Sequence, residues 1–565
     1  MACPYVENPE VLLPEASAQA LQSKTPTVVQ NLVWAQKSRG RRWSLRVIHG
    51  DQPIELPELT LDETVDSHKA TAAISVKLSS GRPGTIVFAN GPAEAETLAT
   101  LISGLLKNEG LASPAQELLE LAELSRTHIH RDYTLAETVT SGVGFHYGPM
   151  PEILRREQER LFADGTLPIL VCTATLLEGV NLPCRLLVVR GPKEGRKTPM
   201  APQTFWNLAG RAGRLGKDKS GTVVVIDPHI EKQWPNGPPT ASVGLHLDRP
   251  GTELASDALR LVAYSHETDA ESNRSPVFEQ ALGELVNAQH LFDSLEAVEW
   301  WRRLPLHAQR QLADRAKALL GDNGVPGDLA RRHSTVNPVF IGQLVRWLKG
   351  KSVEELIALS PVGPAEPNAA LKLAEDMARC DRWLGSDFGG DKARNYKANL
   401  TIKWARGERL SRILDERVRW VRRHKSKGSS TAAVIRDVFK VIDEFARFKV
   451  PKYVGCYAGC ISLCLREQGL TDLSAEVDGL EEQYEVGAAE RTTMSLMSVG
   501  LSRTAAVEVA RLIPRSEMSM IDVINWIQSA NLDALDIPPV VAREARAAAE
   551  ETGSYYAIGG WNDAS

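Results

Sequence analysis

The feature that most constrains this chain is a series of short, largely apolar runs between residues 81 and 227. They are 85–89 (TIVFA), 143–146 (VGFH), 169–172 (ILVC), 186–189 (LLVV) and 223–226 (VVVI). A strand with one wet face alternates apolar and polar residues, whereas these runs carry apolar residues on both faces and need cover on both sides. The intervening stretches supply it with helical spacing: 92–106, a polar helix at 114–125, and 151–163 (PEILRREQERLFA), which begins on proline and stops at Asp164-Gly165. Strand and helix in alternation predict an α/β domain built on a parallel sheet.

In such sheets ligands collect beyond the carboxyl ends of the strands, so the loops there are the places to seek chemistry. Three have unusual sequences. In 205–216 (FWNLAGRAGRLG) two arginines, Arg211 and Arg214, stand three apart among small residues. On a helix they would share one face and offer a guanidinium fork to a phosphate on a facing domain. A solvated basic helix end is the competing reading. In 172–183 (CTATLLEGVNLP) Thr173 and Thr175 follow a buried strand, where hydroxyls can bond a phosphodiester backbone, while Gly179 and Asn181 permit a turn toward a ligand. In 144–151 (GFHYGPMP) His146 and Tyr147 leave a strand just before a helix; a packed histidine is the ordinary alternative.

Together and in order, these segments resemble the second RecA-like domain of superfamily 2 DExH helicases of the Ski-like class. The shared wording is the F-H-Y-G-x-x-P loop, the T-x-T-x-x-x-G-V-N-x-P loop and the G-R-A-G-R segment, and the resemblance covers 81–228. It implies a RecA-like sheet domain followed by mostly α-helical domains. It implies that Arg211 and Arg214 contact ATP phosphates, with Arg214 as arginine finger, and that Gly179, Asn181 and Asn207 face the nucleotide. Thr173, Thr175, His146 and Tyr147 are then expected to meet DNA or RNA, and ATP with Mg2+ is the expected cofactor. Two positions depart from the family: Asn207 replaces the usual glutamine, a shorter amide with less reach, and 90–92 (NGP) stands where relatives often carry a serine-arginine pair.

A motor of this class also needs a phosphate loop, G-x-x-x-x-G-K-[ST], and an acidic motif for magnesium. Neither is found. Lys24-Thr25 lacks the glycines, Gly216-Lys217 is followed by Asp218, and Asp443-Glu444 lies in the helical spacing of VFKVIDEFARF. About 80 residues precede the domain, too few for another RecA-like unit. A separate chain bearing the first RecA-like domain is therefore the expected partner, through gene splitting or truncation.

At 565 residues several domains are expected. Residues 1–80 read as a partly β connector, 81–232 as the RecA-like domain, 233–395 as a helical region with room for a degenerate winged helix, and 396–565 as a helical bundle. The net charge of -5 requires any nucleic-acid surface to be local. One candidate is 403–427, where ten cations including Arg422 and Arg423 face three carboxylates, with Trp404 and Trp420 interleaved. That composition suits phosphate contact and base stacking, or a solvated helical face. Cys456, Cys460 and Cys464 recur every four residues; a buried helical face is favoured over a metal site completed by Cys380. The stretch 492–513 outlines a helix-hairpin-helix or an ordinary helical hairpin, and 553–565 a frayed tail. No signal peptide or spanning segment is recognised, so a cytoplasmic protein without membrane contact is expected. The reading is half of an ATP-dependent DNA or RNA helicase, with a bacterial antiviral defence setting suggested by the motif wording. The alternative is a helicase-derived nucleic-acid-binding scaffold that hydrolyses nothing.

Overall fold

The computed structural model describes residues 29–48, 53–62, 67–112, 114–174, 182–195, 197–213, 220–240, 252–269, 275–321, 324–424, 429–515 and 517–557. By contact the chain divides into two compact units. The first comprises Met1–Leu247, Leu410–Phe439 and Ser529–Glu551; the second comprises Asp248–Arg409, Lys440–Gln528 and Thr552–Ser565. Among the described residues no helix is long and apolar enough to cross a membrane.

Among its described residues the first unit has ten strands: β1 Val29–Arg39, β2 Arg42–Ile48, β3 Ile54–Thr60, β4 Thr85–Phe88, β5 Val143–His146, β6 Ile169–Cys172, β7 Leu186–Val189, β8 Lys193–Glu194, β9 Thr198–Pro199 and β10 Ser220–Ile226. Eight of them form one sheet in the order β3-β2-β1-β10-β7-β4-β6-β5, and β8 pairs with β9 separately. From β1 to β5 every pairing is parallel. Every residue of β4, β5, β6 and β7 is buried, as their unbroken apolar character requires. The helix Glu152–Asp164 ends on Gly165 at φ 89, the left-handed stop expected of Asp164-Gly165.

The amino-terminal strands revise the connector expectation. β1 pairs in parallel with β10 over Val29–Ser220 to Ala35–Ile226, and β2 and β3 extend the same sheet antiparallel. An edge strand left uncovered would expose its hydrogen-bonding groups, and β3 presents Glu55, Pro57 and Glu58 there, residues that discourage pairing. The segment Leu410–Phe439 also joins this unit: the helix Leu410–His424 buries Leu410, Ile413, Leu414, Val418 and Val421 along one face. Four polar links fix it and its successor: His130 Nε2 to Asp415 at 3.3 Å, Arg422 to Asp132 at 3.2 Å, Arg417 to Asp437 at 3.9 Å, and Arg436 to the buried Glu96. From the last segment, Arg543 forks onto Glu120 at 2.6 Å and Glu157 at 2.7 Å.

The second unit is helical. Between 252 and 409 no strand occurs among the described residues, so the wing strands of a winged helix are not among them. Its core centres on Val450–Glu467, whose Cys456, Cys460 and Cys464 are buried against Phe340, Leu344, Met377 and Cys380. Burial pushes the Cys460 and Cys380 thiols well above their usual range, consistent with packing as small hydrophobes, and the Cys380 thiol lies 3.4 Å from the Tyr453 carbonyl. Among the described residues no three His, Cys, Asp or Glu side chains converge as metal ligands. The segment outlined as a helix-hairpin-helix forms helices Arg491–Ser498 and Arg503–Ala510, with Gly500 at φ 112 between them.

Asp376 in this unit is fully buried, and burial raises its carboxyl to about 7 against the opposing pull of Lys372 and Arg379. The folded state therefore holds this proton more tightly than the unfolded chain does. Its contribution to stability is present below the unfolded value of 3.8 and is lost as pH rises toward about 7. The difference in melting temperature between Asp376→Asn and wild type, which cancels the other titrations, should grow in favour of the variant between those limits and level off above them. A difference that stays constant with pH would contradict the buried-carboxyl assignment.

Candidate nucleotide and nucleic-acid site

The carboxyl ends of the parallel strands lie in one register. Trp34 aligns with Val225, Val225 with Val189, and Cys172 with both Phe88 and His146. Just beyond this row stand Thr173, Asn90, Arg190 and Asp227. Thr173 is buried, and its N–H donates to the His146 carbonyl at 3.2 Å, so the loop after β6 starts from a fixed point. Asn90, the departure from the family pattern, accepts from the Lys193 N–H at 2.8 Å through its side chain and donates its own N–H to Glu94 at 3.0 Å. It thus ties the end of β4 to β8. Arg190 donates to Asp227 at 2.8 Å, and Asp227 sits in the left-handed region at φ 55 with its N–H on the Ala35 carbonyl. A non-glycine residue held there is strained backbone that the ion pair and the β1 bond retain. These two residues were missed by sequence reasoning, although a charged residue directly after each of two buried runs was a usable signal.

His146 and Tyr147 are placed differently from expectation. The His146 ring is 1% exposed and its Nε2 lies 2.8 Å from Glu159 Oε1; Tyr147, also 1% exposed, donates to Glu96 at 3.0 Å and lies 3.2 Å from the Tyr133 hydroxyl. Glu96 is itself raised by burial, opposed by Arg436 and the Tyr147 hydroxyl. Both aromatic side chains are spent inside the unit, so neither offers a surface to a strand of nucleic acid.

The GRAGR segment also departs from its sequence reading. The helix Pro202–Ala209 stops before Arg211, so the premise of two arginines on one helical face fails. What holds the segment instead is backbone. Cys184 donates to the Arg211 carbonyl at 2.8 Å, Gly213 donates back to Cys184 at 2.7 Å, and Ala212 bridges Cys184 in parallel. Gly221 makes this possible: a Cβ there would lie 2.1 Å from the Ala212 carbonyl carbon. Arg211 is half-buried, and burial holds its guanidinium below the usual value, partly offset by the Cys184 thiol. A partly desolvated cation of this kind suits an anionic ligand. Asn207 is exposed on the last helical turn. Thr175, Gly179, Asn181 and Arg214 lie outside the described residues.

Along 403–424 the expected basic surface is narrower than its composition. Trp404 is buried under the Arg503 guanidinium, 3.8 Å from its ring, which removes it as a stacking platform. Arg503 is fully buried, lowered to about 9 by burial, and donates to the carbonyls of Gly487, Trp404 and Glu408. Arg409 pairs with Glu508, and Arg412 with Glu416 at 3.3 Å. Trp420 remains 46% exposed, stacked on His424 at 4.8 Å with Arg417 at 4.9 Å. Arg422 and Arg423 are both exposed, the former also bonding Thr431 at 2.9 Å.

Residues 121–216 match the family described as helicase conserved C-terminal domain. The chain is 38% identical over 108 residues to the pre-mRNA-splicing factor brr2 of Schizosaccharomyces pombe, covering 18% of this chain and 5% of that protein. It is 33% identical over 138 residues to the U5 small nuclear ribonucleoprotein 200 kDa helicase of Homo sapiens, covering 23% and 6%. It is 27% identical over 153 residues to a helicase POLQ-like protein of Caenorhabditis elegans, covering 26% and 16%. The matched stretches thus span a small part of these relatives. This chain contains a region similar to the C-terminal region of DExH helicases.

Proposed function

We propose that the chain supplies the second RecA-like half of an ATP-dependent nucleic-acid motor, completed by a first motor domain from outside these 565 residues. The observation that carries this reading is the backbone clasp on Arg211 to Gly213, which mounts the arginine segment rigidly at a strand entry. Fixed guanidinium groups stabilise charge on a phosphoryl group without reorganising at the moment of reaction. Arg214 is assigned as arginine finger with Arg211 beside it, and Gly179, Asn181 and Asn207 as neighbours of the nucleotide. ATP with Mg2+ would bring the triphosphate, the metal being held by the phosphate loop and acidic motif of the first domain. Thr173 and Thr175 are assigned to a DNA or RNA backbone, and Arg422 and Arg423 to a second phosphate contact. His146 takes a positioning part, since its carbonyl anchors Thr173.

ATP hydrolysis tests the assignment. The isolated chain is expected to turn over no ATP, and to gain nucleic-acid-stimulated turnover when a first motor domain of this helicase class is supplied in trans or fused upstream. Robust hydrolysis by the isolated chain would overturn the division of labour.

A further inference from the structure

The β1–β2 hairpin rises past the carboxyl edge of the sheet, where Thr173 lies; Arg211–Gly213, clasped at the entries of β7 and β10, lie at the opposite edge. β10 ends at Ile226, opposite Ala35, yet β1 continues to Arg39 before turning through Gly40 at φ +58 into β2. At about 3.3 Å per residue, Arg39 stands roughly 13 Å beyond the last paired residue of β10. It projects from the carboxyl edge, on the same side as Thr173, Asn90 and Arg190. Four strand steps separate β1 from β6 along that edge, through β10, β7 and β4. At about 4.8 Å per step this is roughly 19 Å, the length of about six stacked nucleotides at ~3.4 Å each.

The projecting tip is cationic. Lys37, Arg39, Arg41 and Arg42 fall within six residues, and no carboxylate occurs anywhere in 29–48 of a chain whose net charge is -5. Opposing charge comes from β3 and the residues after it. Arg42 meets Glu58 only at 3.8 Å, both side chains being 68% and 45% exposed, an arrangement of little energetic weight. Arg46, further down the strand, lies 2.6 Å from Glu55. Arg41 spends one nitrogen on the Asp62 carbonyl, which fixes its stem and leaves a charged head at an exposed position. Beneath the tip Trp43 is 2% exposed and anchors the turn to the unit's interior.

We infer that this hairpin tip is a phosphodiester contact, extending along the sheet edge the nucleic-acid track that begins at Thr173; it rests on the motor reading above. The ligand class is a nucleic-acid backbone, held through its phosphates without regard to base. Edge defence of the sheet does not explain the tip, because the edge strands are β3 and β5 and the cations project from the turn between β1 and β2.

The test uses the full chain, a fluorescein-labelled 20-nucleotide single strand of DNA or RNA, and the matching duplex, followed by anisotropy over a salt series. Arg39→Glu with Arg41→Glu should weaken single-strand binding about tenfold or more at low salt and reduce the salt slope by about 1.4, the release expected for two phosphates. The Lys double variant should keep most of the affinity. An equal loss on the duplex alone would place the contact on duplex phosphates and still support it. Unchanged affinity and slope in a folded Glu variant would overturn the hairpin contact and leave the motor reading intact. A wild-type chain that binds no nucleic acid would overturn both, whereas the ATPase reconstitution bears on the motor reading alone.

Discussion

Replacing Arg214 by alanine in the assembled motor should lower the rate of nucleic-acid-stimulated ATP hydrolysis by about three orders of magnitude, the usual effect of losing an arginine finger. Lysine should not rescue it, because a point charge lacks the planar fork that meets two phosphate oxygens together. Nucleic-acid affinity measured without nucleotide should be unchanged, which separates loss of catalysis from loss of fold. Arg211→Ala should also slow hydrolysis, with a larger effect on nucleotide affinity, since a half-buried guanidinium attracts an anion more strongly than a solvated one. An R214A motor retaining more than about a tenth of the wild-type rate would remove Arg214 from the role.

Gly221→Ala should be among the most damaging single changes in the first unit. The added carbon would sit 2.1 Å from the Ala212 carbonyl carbon, 2.2 Å from its oxygen and 2.4 Å from the Gly213 nitrogen, all backbone atoms that cannot rotate away. Relief requires β10 to part from the GRAGR segment and break the bonds between Cys184 and its two partners. A cost of roughly 3 kcal/mol is reasonable for overpacking against rigid atoms. In a unit of this size it corresponds to a fall in melting temperature of about 5 °C. Hydrolysis by the assembled motor should fall with it, because the same displacement moves Arg211. A G221A protein melting within about 1 °C of wild type would show that the clasp is looser than its geometry implies.

The parallel core was legible because each strand is apolar on both faces, and that demand admits few architectures. The boundaries of β5, β6 and β7 coincide with the apolar runs 143–146, 169–172 and 186–189. β1 was not legible, since VQNLVWAQKSR mixes amides and cations with its apolar residues, and its place beside β10 depends on pairing distant in sequence. The arginine segment was recognised from its wording, but its mount was not: a helix was assumed where Gly210 and Gly213 end one, and Cys184 and Gly221 carry no local mark of their part. His146 and Tyr147 show the same limit from the other side. Polar tips at a strand end look available until the partners from other helices, Glu159 and Glu96, are known. Trp404 reads as a stacking platform until Arg503, 99 residues later, is found to cover it.

The path of the chain through the first unit has a consequence for how that unit is made. Its sheet is complete by residue 226, but Phe439, which meets Tyr133 edge to face at 5.9 Å, and Arg543, which clasps Glu120 and Glu157, leave the ribosome much later. During synthesis the nascent sheet must wait with that flank bare, and a polypeptide cut soon after the last strand would keep it bare permanently. Chaperone dependence and poor solubility of such short fragments follow from the order in which the polypeptide is delivered.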